Sequence, residues 1–180
     1  MALEQILLQD AEEKDAPDIQ RLTKLAFERY ASAVRSPQNV AALHESLEDV
    51  LHDIRTKHVY IVRIDGEAVG SVRFDVRGEG IAYLTRFAMH PDVQNMGLGG
   101  LLLEKVKLEC IALGVRAITL HTASKMRSSV AFYLKNGYYI HSISRDSDYI
   151  RAFMVNELVD MDEMYDYEAV VGHPVSGPPM

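Results

Sequence analysis

Short apolar runs bounded by turn-forming residues predict the strands of this 180-residue chain. Asp65-Gly66 is a strong two-residue hairpin signal, and residues 77–80 (Arg-Gly-Glu-Gly) make a second turn, so the three runs that they join form an antiparallel meander. His90-Pro91 ends the last of these runs, because proline cannot donate a hydrogen bond to a sheet. The predicted strands are residues 3–10, 59–64, 68–76, 81–89, 117–122, 138–144 and 149–155.

Apolar residues that recur at helical spacing predict four helices between these strands. Asp15 is expected to cap the first helix, with Pro17 close to its start. Ser36-Pro37 then breaks the chain, and Gly114 is expected to close the third helix. The predicted helices are residues 16–32, a segment with Leu43, Leu47, Val50, Leu51 and Ile54 on one face, residues 101–113 and residues 127–136.

The order of these elements predicts an α+β protein with three layers, α/β/α. The helix at 101–113 connects the strands at 81–89 and 117–122, and such a crossover places the two strands parallel in one sheet. The hairpins favour antiparallel neighbours elsewhere. We therefore expect a mixed, mostly antiparallel central sheet with helices on both faces.

The segment between residues 89 and 103 has the composition of an anion-binding turn. Gly97, Gly99 and Gly100 let backbone N–H groups come close to a ligand, and the first N–H groups of the following helix carry partial positive charge. These features predict a site for a phosphate or pyrophosphate. The dinucleotide fingerprint G-x-G-x-x-G is not met, because its last position is Leu102, and no Gly-Lys-Ser/Thr of a P-loop follows.

Two spaced motifs resemble signatures of the GNAT superfamily of N-acetyltransferases. Gln94-x-x-Gly97-x-Gly99 resembles the family's Q/R-x-x-G-x-G/A motif, which holds the pyrophosphate of acetyl-CoA. Residues 132–138 (Phe-Tyr-Leu-Lys-Asn-Gly-Tyr) resemble its F-Y-x-K-x-G-F/Y motif. The element order along residues 3–156 is also similar to the GNAT fold.

The resemblance implies acetyl-CoA as the acetyl donor and gives roles to particular residues. Tyr133 matches the tyrosine that protonates the departing CoA thiolate in many members. Many members have an asparagine where this chain has Met126, so either Ser128 or Ser129 makes that cofactor contact or the contact is absent. The strand end that pairs with the pantetheine arm and the pyrophosphate loop comprise Phe87, Ala88, Met89, Gln94, Asn95, Met96, Gly97, Leu98, Gly99 and Gly100.

Acetyl transfer to an amine requires a neutral nucleophile, a polarised thioester carbonyl and a proton for the leaving thiolate. We therefore expect an acetyl-CoA-dependent N-acetyltransferase that acts on a primary amine by direct attack, with Tyr133 as the general acid. The general base is left open. The strand at 81–89 has no carboxylate, and the nearest candidates are Asp75, Glu79 and His121. The alternative function is a catalytically silent CoA-binding or regulatory module on the same fold.

The net charge of −7 is concentrated at the C-terminus. The body of the chain is close to neutral, so it offers no broad basic face for nucleic acid or an anionic membrane. The expected acceptor is therefore a small-molecule or peptide amine. The sequence leaves open whether the protein forms a homodimer. The acids that follow residue 156, among which there is no Lys or Arg, are Glu157, Asp160, Asp162, Glu163, Asp166 and Glu168.

Residues 1–156 are expected to form the acetyltransferase domain, and residues 157–180 an acidic extension. Met161, Met164 and Tyr165 make the extension apolar enough to dock on the body or on a second subunit. Our hypothesis is that it borders the acceptor groove, where its acids would favour a cationic amine.

The remaining features favour a cytoplasmic protein. The sequence has no run of about 18 apolar residues that would predict a transmembrane helix, and its first residues lack the pattern of a signal peptide. Cys110 is expected to be a small buried residue of the third helix. His44 and His52 share one helix side, but no further ligands at metal spacing accompany them, so no metal site is predicted.

Overall fold

The computed structural model describes residues 4–34, 40–145 and 149–172. The strands of this part of the chain are β1 Ile6–Asp10, β2 His58–Ile64, β3 Glu67–Arg77, β4 Ile81–Met89, β5 Ala117–Ala123, β6 Tyr139–Ser144 and β7 Arg151–Glu157. The α-helices are α1 Ala16–Val34, α2 Leu47–Thr56, α3 Leu98–Ala112, α4 Arg127–Lys135 and α5 Tyr167–Val171. The seven strands form one sheet in the order β1-β2-β3-β4-β5-β7-β6.

All neighbouring strands of the sheet are antiparallel except β4 and β5. These two strands lie parallel, and α3 connects them. The prediction of parallel pairing is therefore confirmed. So is the α+β fold class with a mixed, mostly antiparallel sheet.

Helices cover both faces of the sheet. Ala82 and Leu84 of β4 belong to the core that α3 and α4 cover, which we call the α3–α4 face. Ile81 and Tyr83 point the other way and pack with α5. The residues of β2 that pack with α1 and α2 lie on the same side of the sheet as Ile81 and Tyr83, as the strand registers show. We therefore call this side of the sheet the α1–α2–α5 face. Within the described residues, no helix is both long enough and apolar enough to cross a membrane.

Several element boundaries differ from the prediction. The Asp15 side chain does not cap α1; it accepts the N–H of Glu12 at 2.8 Å and pairs with Arg63 at 2.7 Å. The second predicted helix is divided into a one-turn 3-10 helix, Ala41–His44, and α2. Ser46 caps α2 by accepting the N–H of Asp49, which sets the start of the helix.

Two other features were not predicted. The third helix begins at Leu98 rather than at residue 101, so Gly99 and Gly100 lie in its first turn. The short helix α5 follows β7, and nothing in the sequence reading indicated it. The predicted break at residues 36–37 lies outside the described residues.

Strands β4 and β5 separate soon after they pair. Their hydrogen-bonded register includes the pairs Ile81–Ala117, Ala82–Ile118 and Tyr83–Thr119, and the rest of both strands diverges. The diverging end of β4 therefore has a backbone edge that β5 does not cover. The gap between these two strands positions the candidate site.

A β-bulge in β4 lies at this gap. Thr85 is paired with Arg73 and Ala88 with Ser71, so two residues of β4, Arg86 and Phe87, lie opposite a single residue of β3. Arg86 has a positive φ of 52°, which is unusual for a residue with a side chain. The bulge changes the direction of the side chains on the strand beside the gap.

Candidate active site

The glycine-bearing turn between β4 and α3 has the geometry of an anion-binding loop. Gly97 has a φ of +81° and caps α3, and a Cβ built at this position would meet no atom within 4 Å. The first helical hydrogen bond runs from Leu101 N–H to Gly97 O at 3.2 Å. The N–H groups of residues 98–100 therefore have no intrahelical acceptor and are available to a ligand.

A cleft of about 900 Å³ extends from this loop through the gap between β4 and β5. Its lining comes from both faces of the sheet: α4 residues such as Phe132 on one side, and α1 residues such as Tyr30 on the other. The predicted site residues that line it are Phe87, Met89, Gln94, Asn95, Gly97, Gly99, Gly100, Ser129 and Tyr133.

Three predicted cofactor residues do not line the cleft with their side chains. Ala88 is buried at 1% exposure, and Leu98 is part of the hydrophobic core under α3. Met96 is half-exposed on the loop. A role for these three residues in binding would have to come from their backbone groups.

Tyr133 lies at the α3–α4 face of the cleft within a group of aromatic rings. Its ring centroid is 5.3 Å from that of Phe132, 5.6 Å from that of Tyr138 and 6.1 Å from that of Phe87. Burial raises the pKa of the Tyr133 hydroxyl well above its usual value. Tyr133 is therefore protonated at neutral pH.

The start of α4 carries the residues that stand where many family members have an asparagine contact. Met126 is the N-cap residue of α4, and it lines the cleft together with Ser128 and Ser129. Two hydroxyl groups thus lie beside the position that Met126 occupies, and either can reach a ligand in the cleft.

Opposite Tyr133, on the α1–α2–α5 face, the cleft contains a hydrogen-bonded pair. The Tyr83 hydroxyl and Nδ1 of His121 are 2.8 Å apart, just where β4 and β5 diverge. Burial raises the pKa of Tyr83 to about 12, although the nearby guanidinium groups of Arg151, Arg77 and Arg86 oppose this shift. Tyr83 is therefore protonated at neutral pH.

The three candidates for the general base are placed very differently. His121 lines the cleft, whereas Asp75 and Glu79 do not. The Asp75 carboxylate accepts a hydrogen bond from Arg77 at 3.0 Å, and the Glu79 carboxylate accepts one from the Tyr165 hydroxyl. Of these three residues, His121 therefore remains the candidate for the general base. Its hydrogen-bond partner Tyr83 was not predicted from the sequence.

The cleft has a basic lining. Its basic side chains are Arg29, Arg86, Lys135 and Arg151, and its described lining includes no acidic side chain. Arg29 donates a hydrogen bond to Gln94 at 3.3 Å, which places it beside the glycine loop. No local motif could have identified this group, because its members come from four separate elements.

The described part of the acidic extension lies away from the cleft. Met161, Tyr167 and Val171 pack against Ile81 and Tyr83 on the α1–α2–α5 face. None of residues 157–172 lines the cleft. The acids of this segment therefore do not line the cleft.

The fold and the site together define the class of protein. The profile of the acetyltransferase (GNAT) family matches residues 19–138. The chain belongs to this family, so the resemblance in its motifs is confirmed, and it is an acyltransferase that takes acetyl-CoA as its acetyl donor.

Particular relatives agree with this class. S-(2-succino)cysteine N-acetyltransferase of Bacillus subtilis (strain 168) is 28% identical over 129 residues, which cover 67% of this chain and 78% of that protein. The PaiA N-acetyltransferase of Thermoplasma acidophilum, solved with coenzyme A, has a TM-score of 0.75 at 16% identity, covering 85% of this chain and 99% of the other. The yncA protein of Salmonella typhimurium, solved with acetyl-CoA, has a TM-score of 0.70 at 14% identity, covering 91% and 99%. These two structures support the fold.

Proposed function

We propose that this protein is an N-acetyltransferase that moves the acetyl group of acetyl-CoA to a primary amine by direct attack. The observation that carries the proposal is the cleft that passes from the glycine loop through the gap between β4 and β5. Such a cleft lets a donor and an acceptor approach each other from opposite faces of the sheet.

The residues of the cleft fit the donor. The open space at Gly97 and the unpaired N–H groups at the start of α3 suit a pyrophosphate. The uncovered edge of β4 at residues 87–89 suits the amide groups of a pantetheine arm. Acetyl-CoA would supply an activated acetyl thioester at the gap, and Ser128 or Ser129 would add a side-chain contact.

On the acceptor side, we propose that the Tyr83–His121 pair removes a proton from the amine. The Tyr83 hydroxyl would accept that proton while its own proton passes to Nδ1 of His121, 2.8 Å away, so that His121 is the base and Tyr83 stays neutral. The raised pKa of Tyr83 fits a relay that does not hold a negative charge.

On the donor side, we propose that Tyr133 provides a proton to the leaving thiolate. In the balanced reaction a C–N bond forms, the C–S bond breaks, the amine loses one proton and the sulfur gains one. With its raised pKa, Tyr133 stays protonated, and its hydroxyl can donate a hydrogen bond to the sulfur as negative charge develops there.

The two-part organisation of the chain also remains a proposal. Residues 1–156 would form the catalytic domain, and residues 157–180 an extension whose described part supports the sheet behind Tyr83. Location in the cytoplasm and dimerisation are predictions that the fold leaves open.

Thermal unfolding with and without acetyl-CoA tests the proposed donor site. Binding at 100 times Kd would stabilise the wild type by about 2.7 kcal/mol. We expect Gly97→Glu to lose this shift, because a carboxylate would occupy the anion site. Gly66→Glu is the matched control: Gly66 also has a positive φ, 89°, and open space around its Cβ position, but it lies in the β2–β3 hairpin.

An assay of thiol release with a panel of amines then tests transfer. A shift in the wild type that both variants retain would contradict the assignment of the loop. Acetyl-CoA binding without turnover of any amine would support the silent CoA-binding alternative instead.

A further inference from the structure

Arg86 occupies a strained position beside the reaction centre. It is the bulge residue of β4 with a φ of 52°, and its side chain lines the cleft. A left-handed backbone conformation costs about 1 kcal/mol or more for a residue with a Cβ, so surrounding contacts must hold it.

A buried ionic cluster holds Arg86. Arg73, which is fully buried, binds both oxygens of Glu45 at 2.5 and 2.9 Å and Asp53 at 2.8 Å. Arg86 adds a contact from its Nε to Glu45 at 3.3 Å, and Lys57 binds Asp53 at 3.1 Å. Three cations thus share two carboxylates, and the charge of Arg86 also acts on the more exposed carboxylate of Asp49.

Arg86 is the member of the cluster that lines the cleft. Arg86 is 27% exposed and uses only Nε toward Glu45, and its two terminal nitrogens make no hydrogen bond to any described residue. By contrast, Arg73 is completely buried behind it. Arg86 therefore presents a guanidinium fork to the cleft, and such a fork matches a carboxylate with two parallel hydrogen bonds.

The position of Arg86 selects the acceptor rather than the donor. Arg86 and Arg73 bind the same carboxylate, so Arg86 lies on the α1–α2–α5 face, where the Tyr83–His121 pair is found. The glycine loop and Tyr133 belong to the donor side. An anion bound by Arg86 would thus be part of the amine substrate.

We infer that the acceptor is a small amino acid, whose carboxylate binds the terminal nitrogens of Arg86 while its amine points to the Tyr83–His121 pair. This inference rests on the proposed function. It gives the strained bulge at Arg86 a role in substrate binding. It also predicts an acceptor with a negatively charged group, whereas the acids of the C-terminal extension suggested a cationic amine.

Matched acceptors and variants test the inference. Amino acids and their carboxamides are compared by thiol release at saturating acetyl-CoA, with kcat and KM determined separately. We expect wild type to prefer the acids by roughly tenfold or more in kcat/KM, since hydrogen bonds to a charged group are strong. Arg86→Gln should raise KM for the acids by a similar factor and raise KM for the carboxamides much less, because a carboxamide has no charge for Arg86 to bind. Arg86→Lys, which keeps the charge but not the fork, should fall between.

Arg55→Gln is the control, because Arg55 is an exposed arginine of α2 that pairs with Glu13 outside the cleft. Melting curves and the acetyl-CoA shift check that each variant is folded and binds the donor. Equal use of acids and carboxamides, or an equal loss of both in Arg86→Gln, would overturn the inference and leave the proposed function standing. No turnover of any amine despite donor binding would overturn both.

Discussion

The two sides of the gap between β4 and β5 are built in different ways. The proposed donor side is made from backbone: a glycine cap, the first N–H groups of α3 and the uncovered edge of β4. The proposed acceptor side is made from charged and polar side chains, which a buried ionic cluster and one hydrogen-bonded pair hold in place. Backbone groups suit a donor that the whole family shares, and side chains suit an acceptor that differs among its members.

The difference also has an energetic aspect. Backbone N–H groups at the start of a helix are unpaired in any case, so the donor side costs the fold little. The acceptor side requires the desolvation of Arg73 and Glu45, and that cost is offset by their contacts with each other, with Asp53 and with Arg86. The acceptor side should therefore be the more sensitive to substitution.

The largest expected effect is on stability, at Arg73. Arg73→Met would leave Glu45 and Asp53 without their shared buried partner, and we expect a loss of about 3–5 kcal/mol in the free energy of unfolding. Urea titration would measure it. Arg55→Met, at an exposed ion pair, should change little. A small loss at Arg73 would show that the cluster does not organise the acceptor side.

The next effect is on catalysis, at Tyr133. We expect Tyr133→Phe to lower kcat by about ten- to a hundredfold, since it removes the proposed proton donor. The thermal shift with acetyl-CoA should persist, because backbone groups provide most of the donor site. Tyr138→Phe is the control: Tyr138 is also buried and packs on Tyr133, but it does not line the cleft. Equal kcat values in the wild type and Tyr133→Phe would remove Tyr133 from the mechanism.

The smallest effect concerns Cys110, which lies in α3 behind the donor side. The structure confirms that it is buried, and burial raises the pKa of its thiol to about 12. Almost no thiolate is present at pH 8, so a disulfide reagent should leave the native protein unlabelled and label one thiol per chain in urea. Rapid labelling of the native protein would mean that solvent reaches the core under α3. The same experiment shows whether the thiol of Cys110 would add to the background signal of thiol-release assays.

The donor side was predictable because its residues are consecutive in the chain. A strand, a glycine turn and a helix start leave a local pattern, and residues 94–100 carry it. The turn at Asp65-Gly66 was predictable for the same reason: the positive φ angles there, 49° and 89°, favour these residue types. Local backbone geometry restricts which residues can occupy these positions.

The acceptor side could not be predicted in this way. Glu45, Arg86 and His121 come from different elements, and tertiary packing alone brings them near one another. Nothing local marks Arg86, because the bulge depends on the register of β3 against β4. The division of the second predicted helix also goes with a tertiary contact. Glu45, which directly follows the 3-10 helix, binds Arg73 of β3.

The short pairing of β4 with β5 has a mechanical consequence. Strands β1–β4 are joined by long antiparallel ladders, as are β5–β7, whereas only three residue pairs of the described register link β4 to β5. The sheet is therefore weakest between β4 and β5, where the two halves are held by these pairs, by the connection through α3 and by side-chain packing such as that of Tyr83 with Phe153. A ligand bound in the gap would contact both halves of the sheet and would help to hold them together.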